Sequence, residues 1–315
     1  MHRKYKCILF MALLPVMALL LSACGNTAQA VEPAREDASS GVVRPSAPVI
    51  YKPEATGEKV LGADPLIVDI SNADHGYIMA RYTGDAAKAN IQLTGPDGIT
   101  YKYFLPPSDD YVPLPLTAGN GEYEVDGYEN VADTKYAALF KETANFTLDN
   151  DLLPYLYPNQ YVNFTADTQA VATAEQTVSR AKDDLDAVAL IYHFVVNNIS
   201  YDEEKAANAT AGYLPVVDDT LSTRKGICFD YAALTAAMLR SQNIPTRLEI
   251  GYSGDIYHCW ISVYLDDIGW IDNLIEFDGQ DWTRMDPTFA SSNNNSDAVL
   301  EYIGDGSNYT VQYTH

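Results

Sequence analysis

The chain has 315 residues, 47% of them hydrophobic and 20% charged, enough to bury a core and more than one domain usually holds. Its formal net charge is −23. A surface of that sign repels nucleic-acid backbones and anionic lipid headgroups, which argues against a nucleic-acid function and against direct electrostatic adhesion to a membrane.

The first 24 residues read as an export signal. His2, Arg3, Lys4 and Lys6 precede the apolar run "CILFMALLPVMALLL", which is too short to span a membrane comfortably and ends in small residues. The ending "LSAC", followed by Gly25, resembles the lipobox of bacterial exported lipoproteins. That resemblance implies cleavage before Cys24, lipidation of Cys24, and a chain anchored to the cell membrane on its extracellular side. Removing the signal takes away Arg3, Lys4 and Lys6 and no acid, so the net charge moves from −23 to −26. Attachment to the membrane then rests on the lipid.

Residues 25–60, rich in Ala, Pro, Ser and Glu without apolar periodicity, are expected to be a flexible tether. Residues 61–150 hold short runs of β-branched and aromatic residues, among them "PLIVDIS", "YIMARYT", "ANIQLT", "ITYKYFL" and "EYEVDGYE". "TGPDG" (94–98) supplies a hairpin turn, and "YAALFKETANFTL" reads as one more extended run. This pattern predicts a small β-sandwich. His75 stands alone in "NADHG" and reads as a solvated turn residue.

Residues 151–168, with "LPYLYPNQYVNF", form a connector, and residues 169–315 a second domain. In 183–199 apolar residues recur every three or four positions behind Asp183, Asp184 and Asp186, which predicts a helix. His193 beside that stripe reads as a packed or half-exposed helix residue rather than a ligand. "CFDYAALTAAMLRSQ" predicts a second helix, with Tyr231, Leu234 and Met238 as its apolar stripe, Arg240 in its last turn, and Asn243 and Pro245 ending it. "TRLEIGY" and "HCWISVYL" predict strands.

The cysteines narrow the chemistry. Cys7 leaves with the signal and Cys24 is the proposed anchor, so Cys228 and Cys259 remain in the folded part, with no metal-type CxxC pair. Cys228 opens a predicted helix, where the dipole and free N–H groups stabilise a thiolate and the Cys228 N–H is placed for an oxyanion. His258 opens a strand and Asp286 precedes Pro287. A thiol needs a base, and the base needs an acceptor to fix its tautomer; these three side chains supply that set. Each alone is ordinary: a buried core thiol, a strand histidine, a turn aspartate.

Together, "KGICFDYAALTAAMLRSQNIPTRLEIGY", "YHCWISVYLDDIGWI" and "RMDPTF" resemble the transglutaminase-like superfamily of papain-fold cysteine enzymes, over about residues 170–300. The resemblance implies an α+β, papain-like second domain behind the small β-sandwich. It also implies Cys228 as nucleophile, His258 as base and Asp286 as the orienting carboxylate. Cys259 stands where that family usually has alanine, and Asn243 where it usually has glycine. Asp272, 14 residues after His258, is a rival to Asp286, which is 28 residues after it; the Asp-Pro-Thr pattern favours Asp286.

Strand alternation predicts that if His258 points to Cys228, Cys259 points the other way, so that both thiols stay free. Two functions follow. One is a cell-surface enzyme that forms a Cys228 thioester from a carboxamide or peptide carbonyl and passes it to an amine or water, acting on a protein or cell-wall peptide. The other is an inactive scaffold that binds a peptide or glycan. Neither a cofactor nor a metal is expected: there is no EF-hand loop, and Asp109-Asp110 and Asp266-Asp267 read as solvated loops. The sequence specifies no oligomeric state.

Overall fold

The computed structural model describes residues 43–210, 212–253, 255–272 and 309–315. The expected signal, the lipidation site Cys24, the first part of the tether and the candidate Asp286 lie outside the described residues. Among the described residues no helix is long and apolar enough to cross a membrane.

Eight strands run in chain order as β1 (Val60–Ala63), β2 (Leu66–Asp69), β3 (Tyr77–Tyr82), β4 (Ala89–Thr94), β5 (Thr100–Leu105), β6 (Val112–Pro115), β7 (Gly121–Ala132) and β8 (Lys135–Phe146). They form two antiparallel sheets, β1-β2-β3-β6 and β5-β4-β7-β8. Alternation builds the core between them: Tyr101, Tyr103 and Leu105 of β5 turn inward, Lys102 and Phe104 outward. Leu66, Val68 and Ile78 of one sheet share a cluster with Ile91, Leu93 and Val125 of the other. The β4–β5 hairpin closes as expected on "GPDG", where the Asp97 carboxylate accepts from the Ile99 N–H at 2.9 Å and Gly98 takes φ +78°.

The second half begins with α1 (Gln169–Thr177) and α2 (Asp184–Asn198). The aspartates before α2 work as a cap, with the Asp183 side chain accepting from the Asp186 N–H at 2.8 Å. Then follow β9 (Ser200–Tyr201), α3 (Glu203–Asn208), α4 (Val217–Thr223), β10 (Lys225–Gly226) and α5 (Cys228–Ser241). A four-stranded antiparallel sheet completes it: β11 (Thr246–Ser253), β12 (Ile256–Leu265), β13 (Gly269–Ile271) and β14 (Tyr309–Thr314), in the order β13-β12-β11-β14.

The helix α5 is the hub. The sequence predicts a single apolar stripe, but every residue from Asp230 to Ser241 is buried. The alanines of "AALTAAML" let α1, α2 and α4 approach from one side and the sheet from the other, so no solvent face is left. Asn243 ends the run in the left-handed region at φ +59°, as its chemistry permits.

Residues 43–59, placed in the tether by composition, are bonded along their length. Arg44 pairs with Asp184, the Val49 N–H donates to the Ser241 carbonyl at 2.8 Å, and the Tyr51 hydroxyl donates to Asn243 at 2.9 Å. The Glu54 N–H reaches the Tyr77 hydroxyl at 3.0 Å on the sandwich. Composition hides these bonds because each is made by a single polar side chain or main-chain group, without periodicity. Gly41–His315 accordingly forms one compact unit.

Gly251 carries a strict steric demand. The β11–β14 register shifts between Ile250 and Gly251, and a Cβ there would overlap the Thr310 carbonyl oxygen. Gly251→Ala is expected to destabilise the fold by about 3 kcal/mol through displacement of β14, read as a lower urea midpoint with unchanged slope.

Candidate active site

The start of α5 is held by a small polar cluster. The parallel pair β9–β10 brings the chain in, with the Asp202 N–H donating to the Gly226 carbonyl at 2.9 Å. The fully buried Asp230 carboxylate folds back to accept from the Ile227 N–H at 2.8 Å. Gly226 permits this, since a Cβ there would lie 2.6 Å from the Asp230 Cβ. Asp230 also accepts from the Tyr213 hydroxyl and pairs with Lys205 Nζ at 2.7 Å. The Lys205 ammonium rests 4.5 Å above the Tyr213 ring. Burial works against the Lys205 charge, yet the Asp230 and Tyr213 contacts leave its pKa raised. Burial, then the Asp230 contact, push the Tyr213 phenol up to about 12. The sequence shows no signal for this cluster beyond an acid in the first turn; Lys205 sits in the polar run "DEEKAANAT", 25 residues from its partner.

Cys228 and His258 line one cavity of about 660 Å³ together with Tyr201, Tyr213 and Phe229. Cys228 is half-buried, and His258 is 6% exposed with its ring stacked on Trp260. Burial pushes the Cys228 thiol above its ordinary range, and the Asp230 charge adds to that. The backbone N–H groups of Cys259, Phe229 and Cys228 itself act in the opposite sense on the sulfur. Burial and the N–H groups at the helix start thus act on the sulfur in opposite senses, and burial is the larger.

Both Cys228 and Cys259 are free thiols. His258 and Cys259 lie on opposite faces of β12, as strand alternation requires. Cys259 packs with Ile261 and Val263 in the same core as α5, while the fully buried Trp260 lies outside that core and Ser262 donates to Glu249 at 2.6 Å. The face bearing Cys259 is thus the one turned to α5, and His258 shares the other face with Trp260. Cys228 sits at the end of the helix, where its sulfur meets the Cys259 main chain. Burial drives the Cys259 thiol well above its ordinary range. Asp272 is exposed just after β13, whose register pairs Ile271 with Val263, five residues beyond His258.

Residues 171–273 match the family model described as the transglutaminase-like superfamily. This segment is a transglutaminase-like domain. A UPF0252 protein of Methanocaldococcus jannaschii is 31% identical over an alignment of 100 residues that covers 28% of this chain and 28% of that protein. This chain therefore matches well under two thirds of that relative's length. Among solved structures, a candidate cysteine protease from Cytophaga hutchinsonii aligns with 62% of this chain and 65% of its own at 17% identity and a TM-score of 0.35. Red sea bream transglutaminase aligns with 71% and 53% at 14% identity and a TM-score of 0.32. The transglutaminase-like domain contains Cys228 and His258, and its matched segment ends before Asp286.

Beside this domain, β14 leads to His315, whose main chain pairs with Leu248 through two bonds of 2.8 Å. Its ring is 3% exposed, stacked on Tyr161 at 3.9 Å, and lines the same cavity. Burial, then the nearby Arg240 charge, pull its pKa down to about 3. The unfolded value is about 6.5, so as the pH falls the unfolded chain takes the proton first. The stability held by neutral His315 is complete above that value and is lost as the pH falls toward 3. His315→Phe is expected to lose about 2 kcal/mol less than the parent between pH 7 and pH 4.5, measured by urea unfolding at both.

Elsewhere, Asp74, His75 and Asp149 each present one potential ligand atom, all within 4.8 Å of one another, at one end of the sandwich. An exposed grouping of this kind is common without an ion.

Proposed function

We propose that the protein is a cell-surface cysteine acyltransferase or amidase, anchored through lipidated Cys24, which acts on a protein or cell-wall peptide. The observation that carries this reading is the shared cavity wall of Cys228 and His258 inside the transglutaminase-like domain. His258 takes the Cys228 proton. The sulfur attacks a carboxamide or peptide carbonyl, and the oxyanion forms beside the Cys228 N–H. Collapse expels ammonia or an amine, which takes the proton back from the imidazolium, and leaves a thioester. An amine or water then attacks the thioester and frees the thiol. Asp286 orients His258 through its ring N–H.

The test is release of ammonia from a glutamine peptide, with and without a primary amine, followed by mass analysis of the peptide. Ammonia release with amine incorporation supports transfer, and ammonia release without it supports hydrolysis. Cleavage of the peptide backbone identifies a peptidase. Absence of all three under conditions where the chain is folded overturns the catalytic reading.

One observation favours the alternative, a non-catalytic binding protein. The Cys228 thiol is pushed toward its protonated form by burial. On that reading the cavity binds peptide or glycan without turnover.

A further inference from the structure

The cavity does not belong to the transglutaminase-like domain alone. Tyr101, Lys102 and Phe104 on β5 of the sandwich, Tyr161 of the connector, and Tyr313 and His315 at the end of the chain complete its lining. All six lie outside the matched segment 171–273. A ladder of rings runs from the candidate nucleophile toward the sandwich. Phe229, the neighbour of Cys228, is 5.8 Å from Tyr161, Tyr161 is 3.9 Å from His315, His315 is 5.4 Å from Tyr101, and Tyr101 is 5.6 Å from Tyr313.

Charge is distributed unevenly. The chain carries 43 acidic residues against 20 Lys and Arg, yet no Asp or Glu is among the described residues that line this cavity. Lys102 is exposed there and enters no ion pair among the described residues, whereas the neighbouring Lys205 is committed to Asp230. A ligand carboxylate is repelled by most of this protein's surface and meets Lys102 here, with the Lys88 ammonium close by, 4.9 Å from the Phe104 ring centroid. The ring ladder offers stacking and apolar contact to a bulky side chain.

We propose that β5, the connector and β14 build a substrate subsite that selects a peptide with an aromatic or bulky aliphatic side chain beside the reacting residue and a carboxylate placed at Lys102. This names the substrate class of the site in the catalytic reading and rests on it for the position of the reacting residue. The sandwich is then part of the specificity machinery, with Lys102, Phe104 and Tyr161 as specificity-determining residues.

The test separates binding from turnover. Full-length Cys228→Ala is titrated with four capped peptides: Phe-Gln-Glu, Phe-Gln-Gln, Gly-Gln-Glu and Gly-Gln-Gln. Phe is expected to bind about tenfold tighter than Gly, and Glu about threefold tighter than Gln at low salt. Lys102→Glu is expected to reverse the second preference, and Phe104→Ala and Tyr161→Ala to erode the first. Equal affinity for all four peptides, preferences unchanged by these substitutions, or capture of N-acetylglucosamine oligomers in place of the peptides each overturns the subsite. Expected preferences together with no turnover by the parent chain overturn the catalytic reading and leave the subsite standing. Turnover of all four peptides at equal kcat/KM overturns the subsite and leaves the catalytic reading standing.

Discussion

Cys228→Ala is expected to lower kcat/KM for acyl transfer or hydrolysis by about 10⁴-fold or more. The thioester cannot form without the sulfur, and the remaining donors only polarise a carbonyl. The substitution removes one half-buried sulfur from a helix start held independently by Asp230, Lys205 and Tyr213. The variant is therefore expected to stay folded and to bind peptide. Steady-state assay with a glutamine peptide, alongside an unfolding curve, reads both. Substantial residual activity in a folded variant contradicts the assignment of Cys228.

Arg240→Ala is expected to destabilise the chain by about 3 kcal/mol, which for a chain of this size lowers the thermal midpoint by roughly 5 °C. The guanidinium is fully buried and, among the described residues, donates only to main-chain carbonyls. It gives two bonds to Thr246, at 3.0 and 2.8 Å, one to Tyr157 at 2.7 Å and one to His315 at 2.8 Å. It thus ties the end of α5 to the connector and to the strand that carries β14 onward. Burial pulls its pKa down to about 9, so the charge is held at a cost. Alanine relieves that cost but leaves three buried carbonyls without this donor and opens a void. Arg240→Met fills most of the volume and is expected to recover part of the loss, which separates the packing share from the hydrogen-bonded share. Calorimetric midpoints of the three proteins measure it.

Elements held by local pattern were legible in the sequence. The hairpin at "GPDG", the Asp183 cap, the helix beginning at Cys228 and the left-handed Asn243 each follow from a few adjacent residues, and the structure has them where the pattern puts them. What escaped depends on partners far apart in the chain. Tyr101 meets Tyr313 across more than two hundred residues, and no periodicity records such a contact. Lys205 and Asp230 are joined only because β9 and β10 pair. The all-round burial of α5 was invisible because alanine suits an exposed helix as well as a crowded one. Alternation along β12, which puts His258 and Cys259 on opposite faces, was legible as well. Cys228 and His258, singled out through three blocks in order, line one cavity inside the matched segment, and Asp286 lies outside the described residues.

The pairing of Cys228 with His258 is tested most directly by the pH dependence of Cys228 alkylation. The rate with iodoacetamide is followed from pH 5 to pH 10 in the parent and in His258→Ala, with the modified cysteine identified by mass spectrometry. Cys259, buried and with its pKa raised, is expected to react only in denaturant. If His258 accepts the thiol proton, the parent shows a rise in rate below the ordinary thiol range. His258→Ala loses that rise and reacts only above the ordinary thiol range, as the burial of Cys228 requires. Coincident profiles for the two proteins, both rising only in alkali, contradict the pairing.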